Sequence, residues 1–401
     1  MSGIIILGAG QAGQSLAVKL RTLGFEGQVT LIGAESEPPY QRPPLSKAYL
    51  LGEMPLERLY LRSDEFYAEQ NIELRLGAPV EAVDAVGKTV TVNGETLPWD
   101  QLAFTTGSSP RHLPASIGGA LDGVFVMRDL ADADAMAPRL VEGASVLIVG
   151  GGYIGLEAAA VGAKKGLKGT LVEMSDRILQ RVAAPQTSDY FRTLHQGHGV
   201  DIREGIGLSH LTGEGHVSGA VLSDGSELAV DFVIVGVGIT PDSDIAEAAG
   251  IALENGIKTD AHGQCSVPGV WAAGDCASFP HMGQQIRLES VGNAIDQAEL
   301  VAANMLGAAK AYVPKPWFWS DQYEVKLQIA GLSTGYDHIA ERHDGDGLSF
   351  WYYAGETLIA VDAMNDAKAY MVGKRLIEAG KSPAPDVVSD AAVVLKTLLR
   401  A

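Results

Sequence analysis

Twice in this chain a short apolar strand runs straight into a glycine-rich turn that opens a helix. That repeat limits the fold more than any other feature. The first copy has an apolar run at residues 4–7, then Gly8-Ala9-Gly10-Gln11-Ala12-Gly13, then Leu16, Leu20 and Leu23 at helical spacing. A second strand at 28–32 follows, with the acid Glu35 just past its end. The second copy starts at 145–149 and runs into Gly150-Gly151-Gly152-Tyr153-Ile154-Gly155. A helix through 158–160 comes next, then a strand at 169–172 that ends at Glu173. Glycines in such a turn let backbone N–H groups and a helix N-terminus meet a phosphate, and the acid one strand later suits a ribose hydroxyl. One such turn is weak evidence, because ordinary tight turns imitate it. Two, each in full strand–turn–helix–strand context, point to two dinucleotide sites.

Two further apolar runs each end in a glycine turn and a proline: Leu102 to Gly107 before Pro110, and Val233 to Gly238 before Pro241. Each reads as a crossover between domains. Val270 to Asp275 is a last apolar strand that delivers a carboxylate at its C-terminal end, where open α/β sheets bind ligands. Beyond Trp319 the glycine fingerprint is absent. Short strands are expected at 325–330, 348–353 and 357–361, with a turn at 344–347 between the first two and a helix at 366–379. The expected architecture is α/β, with two Rossmann-type nucleotide-binding domains plus a small C-terminal α/β domain. The first nucleotide domain takes 1–108 and 239–318, the second 109–238, and the C-terminal domain 319–401.

With 46% hydrophobic and 20% charged residues, the chain has the balance of a folded globular protein. A net charge of −19 repels a duplex and argues against nucleic acid. No apolar run approaches about 18 residues, so a membrane span is not expected. The first strand begins at Ile4, and Cys265 and Cys276 are the only cysteines. A leader peptide and a disulfide framework are therefore not expected, and a cytoplasmic location is the default.

Three residues outside the fingerprints draw attention. In Arg42-Pro43-Pro44-Leu45-Ser46-Lys47 the prolines fix an extended approach, and Ser46 is suited to cap a helix starting near Lys47. Lys47 is either a solvated surface cation or a charge directed at a flavin ring. Glu157, two residues past Gly155, is either an ordinary first-turn acid or the partner of Lys47 at a flavin–nicotinamide junction. Asp275 can bind the polyol chain of a flavin or cap a helix before Ala277.

These segments occur in one order: the two fingerprints, Arg42 to Lys47, Ala272-Ala273-Gly274-Asp275-Cys276-Ala277, Glu289-Ser290-Val291-Gly292-Asn293-Ala294 and Pro316 to Tyr323. Taken together they resemble the glutathione-reductase-like ferredoxin reductases of bacterial oxygenase systems, over nearly the whole chain. That resemblance implies electrons from NADH through FAD to a small [2Fe–2S] ferredoxin serving a cytochrome P450 monooxygenase or a ring-hydroxylating dioxygenase. It implies FAD at Gly8, Gly10, Ala12, Gly13, Glu35, Arg42, Lys47, Val80, Arg128, Asp275 and Val291. It implies NADH at Gly150, Gly152, Tyr153, Ile154, Gly155, Glu173 and Gly238. Lys47 and Glu157 would sit at the reactive edge of the flavin, with Trp319 beside it.

Three positions depart from the family pattern. Ala34 stands where some relatives carry aspartate, which leaves Glu35 as the ribose acid. Gly292 replaces a frequent proline. Glu299 falls where a basic residue would face an acidic ferredoxin. Between 366 and 401, six basic residues stand against four acidic ones, and Lys326 could join them in a docking face.

Disulfide reductases of this fold need a cysteine pair beside the flavin, yet Cys265 and Cys276 flank the strand that carries Asp275. A flavin oxidase acting on a small organic substrate would not need the second fingerprint. The remaining alternatives are a rubredoxin reductase, whose docking face alone differs, and a non-enzymatic NAD-sensing flavoprotein. The pattern leaves the oligomeric state open.

Overall fold

The computed structural model describes residues 3–400. The chain divides into two compact units. The first comprises Met1–Gln41, Leu56–Ser109 and Ile239–Pro316, and the second Arg42–Pro55, Pro110–Gly238 and Trp317–Ala401.

In the first unit, strands Ile72–Arg75, Val29–Ile32, Gly3–Leu7 and Glu95–Phe104 form a parallel sheet in that order, and Val270–Ala272 joins on Glu95–Phe104. The residues of Gly3–Leu7 and Val29–Ile32 are all buried, as strands covered on both faces must be. Helix Gln11–Thr22 packs on one face through Leu16, Ala17 and Leu20, beside helix Val291–Met305 through Ala298, Val301 and Ala302. Glu299, which departs from the family pattern, bridges these two helices through a 2.8 Å ion pair with Lys19. Glu95–Phe104 is long enough to serve two sheets. Its start pairs antiparallel with Thr89–Val92, which in turn pairs with Val80–Asp84.

The second unit repeats the theme. Its parallel sheet runs Asp201–Glu204, Lys168–Glu173, Ser145–Val149, Phe232–Val235, Val124–Phe125. The same unit holds a five-stranded antiparallel sheet in the order Trp317–Gln322, Val325–Gly331, Thr357–Met364, Gly347–Ala354, His338–Asp344, with helix Ala367–Glu378 packed against it. The 344–347 turn joins His338–Asp344 to Gly347–Ala354. It does not join the two strands between which the pattern placed it. His338–Asp344 escaped notice because Arg342, which is buried and donates to the carbonyls of Val388, Asp390 and Val393, stands on the inward face where the alternation calls for an apolar residue.

One buried acid ties this sheet to the rest of its unit. Asp362 is 1% exposed and accepts hydrogen bonds from the Tyr352 hydroxyl and from Thr187 Oγ1 in the first turn of helix Pro185–Gly197. Burial pushes its carboxyl up to about 6, from 3.8. Across that window the folded state holds a proton that the unfolded chain has released, so stability declines as pH rises through it. Asp362→Asn should flatten the decline, which is worth up to about 3 kcal/mol. Urea midpoints across that pH range measure it, and an unchanged slope would assign the pH dependence to other groups.

Candidate active site

The two glycine turns divide their work identically. Gly8 and Gly150 have φ of +111° and +110°, and a Cβ on either would meet a backbone oxygen at 2.2 or 2.3 Å. Gly13 and Gly155 lie so close to the preceding turn that a Cβ would stand 2.0 and 2.1 Å from the carbonyl oxygens of Gly8 and Gly150. Both therefore fix the distance from helix to strand. Gly10 and Gly152 behave differently: a Cβ on either meets nothing within 4 Å. Both are helix N-caps that contribute no side-chain hydrogen bond. A glycine that its own protein does not require, at the positive end of a helix, suits the close approach of a pyrophosphate. The residues present thus fit two dinucleotides, one in each unit.

In the first unit, Ala12 is buried in the first turn of its helix, and Glu35 accepts a hydrogen bond from the Tyr40 hydroxyl. Val80 opens its strand, and Val291 opens a helix capped by Ser290. Asp275 follows the Val270–Ala272 strand and accepts a 3.0 Å hydrogen bond from Ser108 Oγ. No helix follows it. Ala277–His281 is a strand, which removes the capping role considered above.

In the second unit, Glu173 accepts hydrogen bonds from the backbone N–H groups of Gly151 (2.7 Å) and Ser175 (2.8 Å), which aim its carboxylate across the fingerprint. Tyr153 starts the helix with its ring 4.6 Å from that of Phe318, and Ile154 is exposed beside it. Gly238, at φ +103°, accepts from the Arg111 N–H at 2.9 Å. Arg42 Nη1 donates to the Arg128 carbonyl at 3.0 Å.

Lys47 and Glu157 come together. The Lys47 ammonium lies 3.0 Å from Glu157 Oε1, with both side chains largely buried, and 3.9 Å from Asp321 Oδ2. Glu157 is the fifth residue of helix Tyr153–Lys164 and is 5% exposed. Burial pushes its carboxyl above the ordinary range, and Lys47, Ser320 and Ser46 pull it back. Ser46 does not cap a helix. It ends the 3-10 turn Pro43–Ser46 and donates to Glu157 Oε2 at 2.7 Å. Trp319 stacks on Trp317 at 5.3 Å, with the Lys47 ammonium 5.8 Å from its ring. The strand bearing Trp319 also supplies Ser320, which donates to Glu157 Oε1 at 2.7 Å. Neither serine stood out in the sequence as a partner for this acid. The only signal was their adjacency to Lys47 and Trp319.

Paired nucleotide turns and a buried lysine–carboxylate pair define a flavin- and nicotinamide-dependent oxidoreductase. Residues 2–298 match the family described as pyridine nucleotide-disulphide oxidoreductase, and residues 317–399 match the reductase C-terminal family. The chain belongs to the pyridine nucleotide-disulphide oxidoreductase family, in which it resembles the ferredoxin reductases. It is 43% identical to a ferredoxin–NAD(P)(+) reductase of a Sphingomonas species, over 94% of this chain and 92% of that protein. It is 38% identical to the putidaredoxin reductase of Pseudomonas putida, over 99% and 97%. A crystal structure of the covalent putidaredoxin reductase–putidaredoxin complex superposes with a TM-score of 0.95 at 37% identity, covering 100% of this chain and 98% of that one.

Proposed function

We propose that this protein takes hydride from NADH and passes electrons one at a time to a small [2Fe–2S] ferredoxin that serves a cytochrome P450 or a ring-hydroxylating dioxygenase. The observation that carries this reading is the buried Lys47–Glu157 pair, on a turn where a disulfide reductase would carry reactive sulfur. Cys265 and Cys276 are buried in the first unit, and burial pushes both thiols up, away from the thiolate form. FAD supplies the conversion, accepting two electrons as hydride and giving them up singly. Residues 1–108 with 239–318 hold FAD, 109–238 hold NADH, and 319–401 form the C-terminal domain. A cytoplasmic location fits these free thiols, and among the described residues no helix is long and apolar enough to cross a membrane.

Glu173 supports the choice of NADH. Held by two backbone amides, its carboxylate suits a ribose 2′-hydroxyl and repels a 2′-phosphate. NADH should be strongly preferred over NADPH, and Glu173→Ala should narrow the gap mainly through KM. Equal kcat/KM for both nucleotides in the wild type would remove Glu173 as the selector.

The docking face is mixed in charge. Lys374 pairs with Glu378 at 2.8 Å, Lys368 lies 3.6 Å from Asp344, and Lys326 lies 3.9 Å from Asp321. The deciding experiment is stopped-flow reduction with NADH followed by mixing with ferredoxins and, for the alternative reading, rubredoxins. Turnover with ferredoxin should fall severalfold as salt shortens the screening length from about 10 Å to about 3 Å. Lys326→Glu and Lys374→Glu should weaken it further at low salt. A flat salt response with both variants normal would place docking elsewhere.

A further inference from the structure

Glu157 is the end of a hydrogen-bond chain that runs deep into the second unit. Beyond Ser320, Gln322 Nε2 donates to Ser320 Oγ at 3.0 Å. Gln322 Oε1 faces His195 Nε2 at 2.7 Å, and His195 Nδ1 faces the Tyr323 hydroxyl at 3.2 Å. Ser320, Gln322 and His195 are each 0% exposed. The two-residue period of strand Trp317–Gln322 puts Ser320 and Gln322 on one face, where they reach helices Tyr153–Lys164 and Pro185–Gly197.

With Glu157 ionised, each link has one direction. An ionised carboxylate only accepts, so the single Ser320 proton is committed to Glu157. Ser320 Oγ must then accept from the Gln322 amide nitrogen, which leaves the Gln322 oxygen to accept from His195. His195 therefore carries its proton on Nε2, and its Nδ1 accepts from Tyr323. Burial holds His195 neutral by pushing it down to about 4. All links donate toward Glu157, and aligned hydrogen bonds polarise one another. A glutamine amide neither releases nor captures protons near neutral pH, so the chain orients and does not conduct.

We infer that His195, Gln322 and Ser320 are positioning residues that hold Glu157 ionised and aimed at Lys47, so that Lys47 remains a fixed cation during the reaction. This rests on the Lys47–Glu157 reading above. The charged and titratable groups facing the chain are Lys47 with Asp321 beyond it, Tyr323, His198 stacked on Tyr323, and Glu324 at 3.6 Å from His198.

The test follows ionisation directly in the FAD-loaded enzyme. The infrared band of the protonated Glu157 carboxyl, identified by its loss in Glu157→Gln, is titrated against pH. Ser320→Ala should raise the Glu157 pKa by about one unit, and Ser320→Thr should restore it. Imidazole ¹⁵N shifts should show His195 protonated on Nε2 in the wild type and not held in that tautomer in Gln322→Leu. A Glu157 pKa unmoved in Ser320→Ala, or a wild-type His195 protonated on Nδ1, overturns the proposal. The function reading fails separately: wild-type rates of flavin reduction in Lys47→Ala and Glu157→Gln would refute it even if the titration and tautomer results hold.

Discussion

A Gly10→Val protein should fold as the wild type does and purify without its yellow colour. Gly10 has φ −90° and ψ −161°, values open to any residue, and a Cβ there meets no protein atom within 4 Å. The protein therefore leaves room for a Cβ there, and the loss is expected to come mainly from the ligand. A valine at the N-cap holds a pyrophosphate off the helix N-terminus and forfeits charge-assisted hydrogen bonds of about 1.5–3 kcal/mol each. Losing one or two of them weakens FAD retention by roughly 10-fold to 10,000-fold. Gly152→Val is the matching control: it should keep its flavin and lose NADH affinity. Gly13→Leu should lose FAD by another route, because its Cβ would stand 2.0 Å from the Gly8 carbonyl oxygen and drive the helix off the sheet. That variant should also be less stable than the FAD-free wild type, which Gly10→Val should not be. Absorbance of the purified variants and their melting curves separate the two cases. A yellow Gly10→Val protein that fails to bind NADH would reverse the assignment of the two sites.

What the sequence made legible was whatever depends on neighbours along the chain. Gly13 and Gly155 press on the carbonyls of Gly8 and Gly150 five residues earlier, so glycine spacing exposes the fingerprints even though Gly8 and Gly150 themselves are crowded by Thr105 and Gly236 from distant strands. Ser46 was misread for the opposite reason. Its hydroxyl is within reach of local backbone, which suggests a cap, but its partner Glu157 lies 111 positions away. The same holds for the pairing of His195 with Gln322, 127 positions apart, between residue types common in any helix or strand. Strand Trp317–Gln322 was hidden too, because one face carries Trp317, packed on the apolar core of its sheet, and the other carries the fully buried polar pair Ser320 and Gln322. A polar inward face inverts the usual pattern, and it exists because the strand's partners there are Glu157 and His195.

Lys47→Ala should slow NADH-driven flavin reduction by about 100-fold and lower the flavin's reduction potential, since a preorganised cation is lost from where negative charge arrives. The same change also leaves Glu157 buried with two serine donors and no countercharge. Breaking a buried pair from one side costs about 3–5 kcal/mol, so Glu157 should take up a proton in that variant. Its carboxyl is already pushed up by burial, and Lys47 is the largest influence holding it down. Two consequences separate catalysis from structure. Lys47→Ala should be markedly less stable at alkaline than at mildly acidic pH, because ionising an unpartnered Glu157 carries the whole desolvation cost. Lys47→Met combined with Glu157→Gln should recover most of that stability, because no charge remains buried, while flavin reduction stays slow. Denaturant midpoints and stopped-flow rates on Lys47→Met, Glu157→Gln and the double variant complete the cycle. If the double variant regains both stability and rate, the pair is a clamp between segment 42–55 and helix Tyr153–Lys164. If it regains stability alone, Lys47 acts on the reacting centre and Glu157 exists to keep that lysine charged and in place.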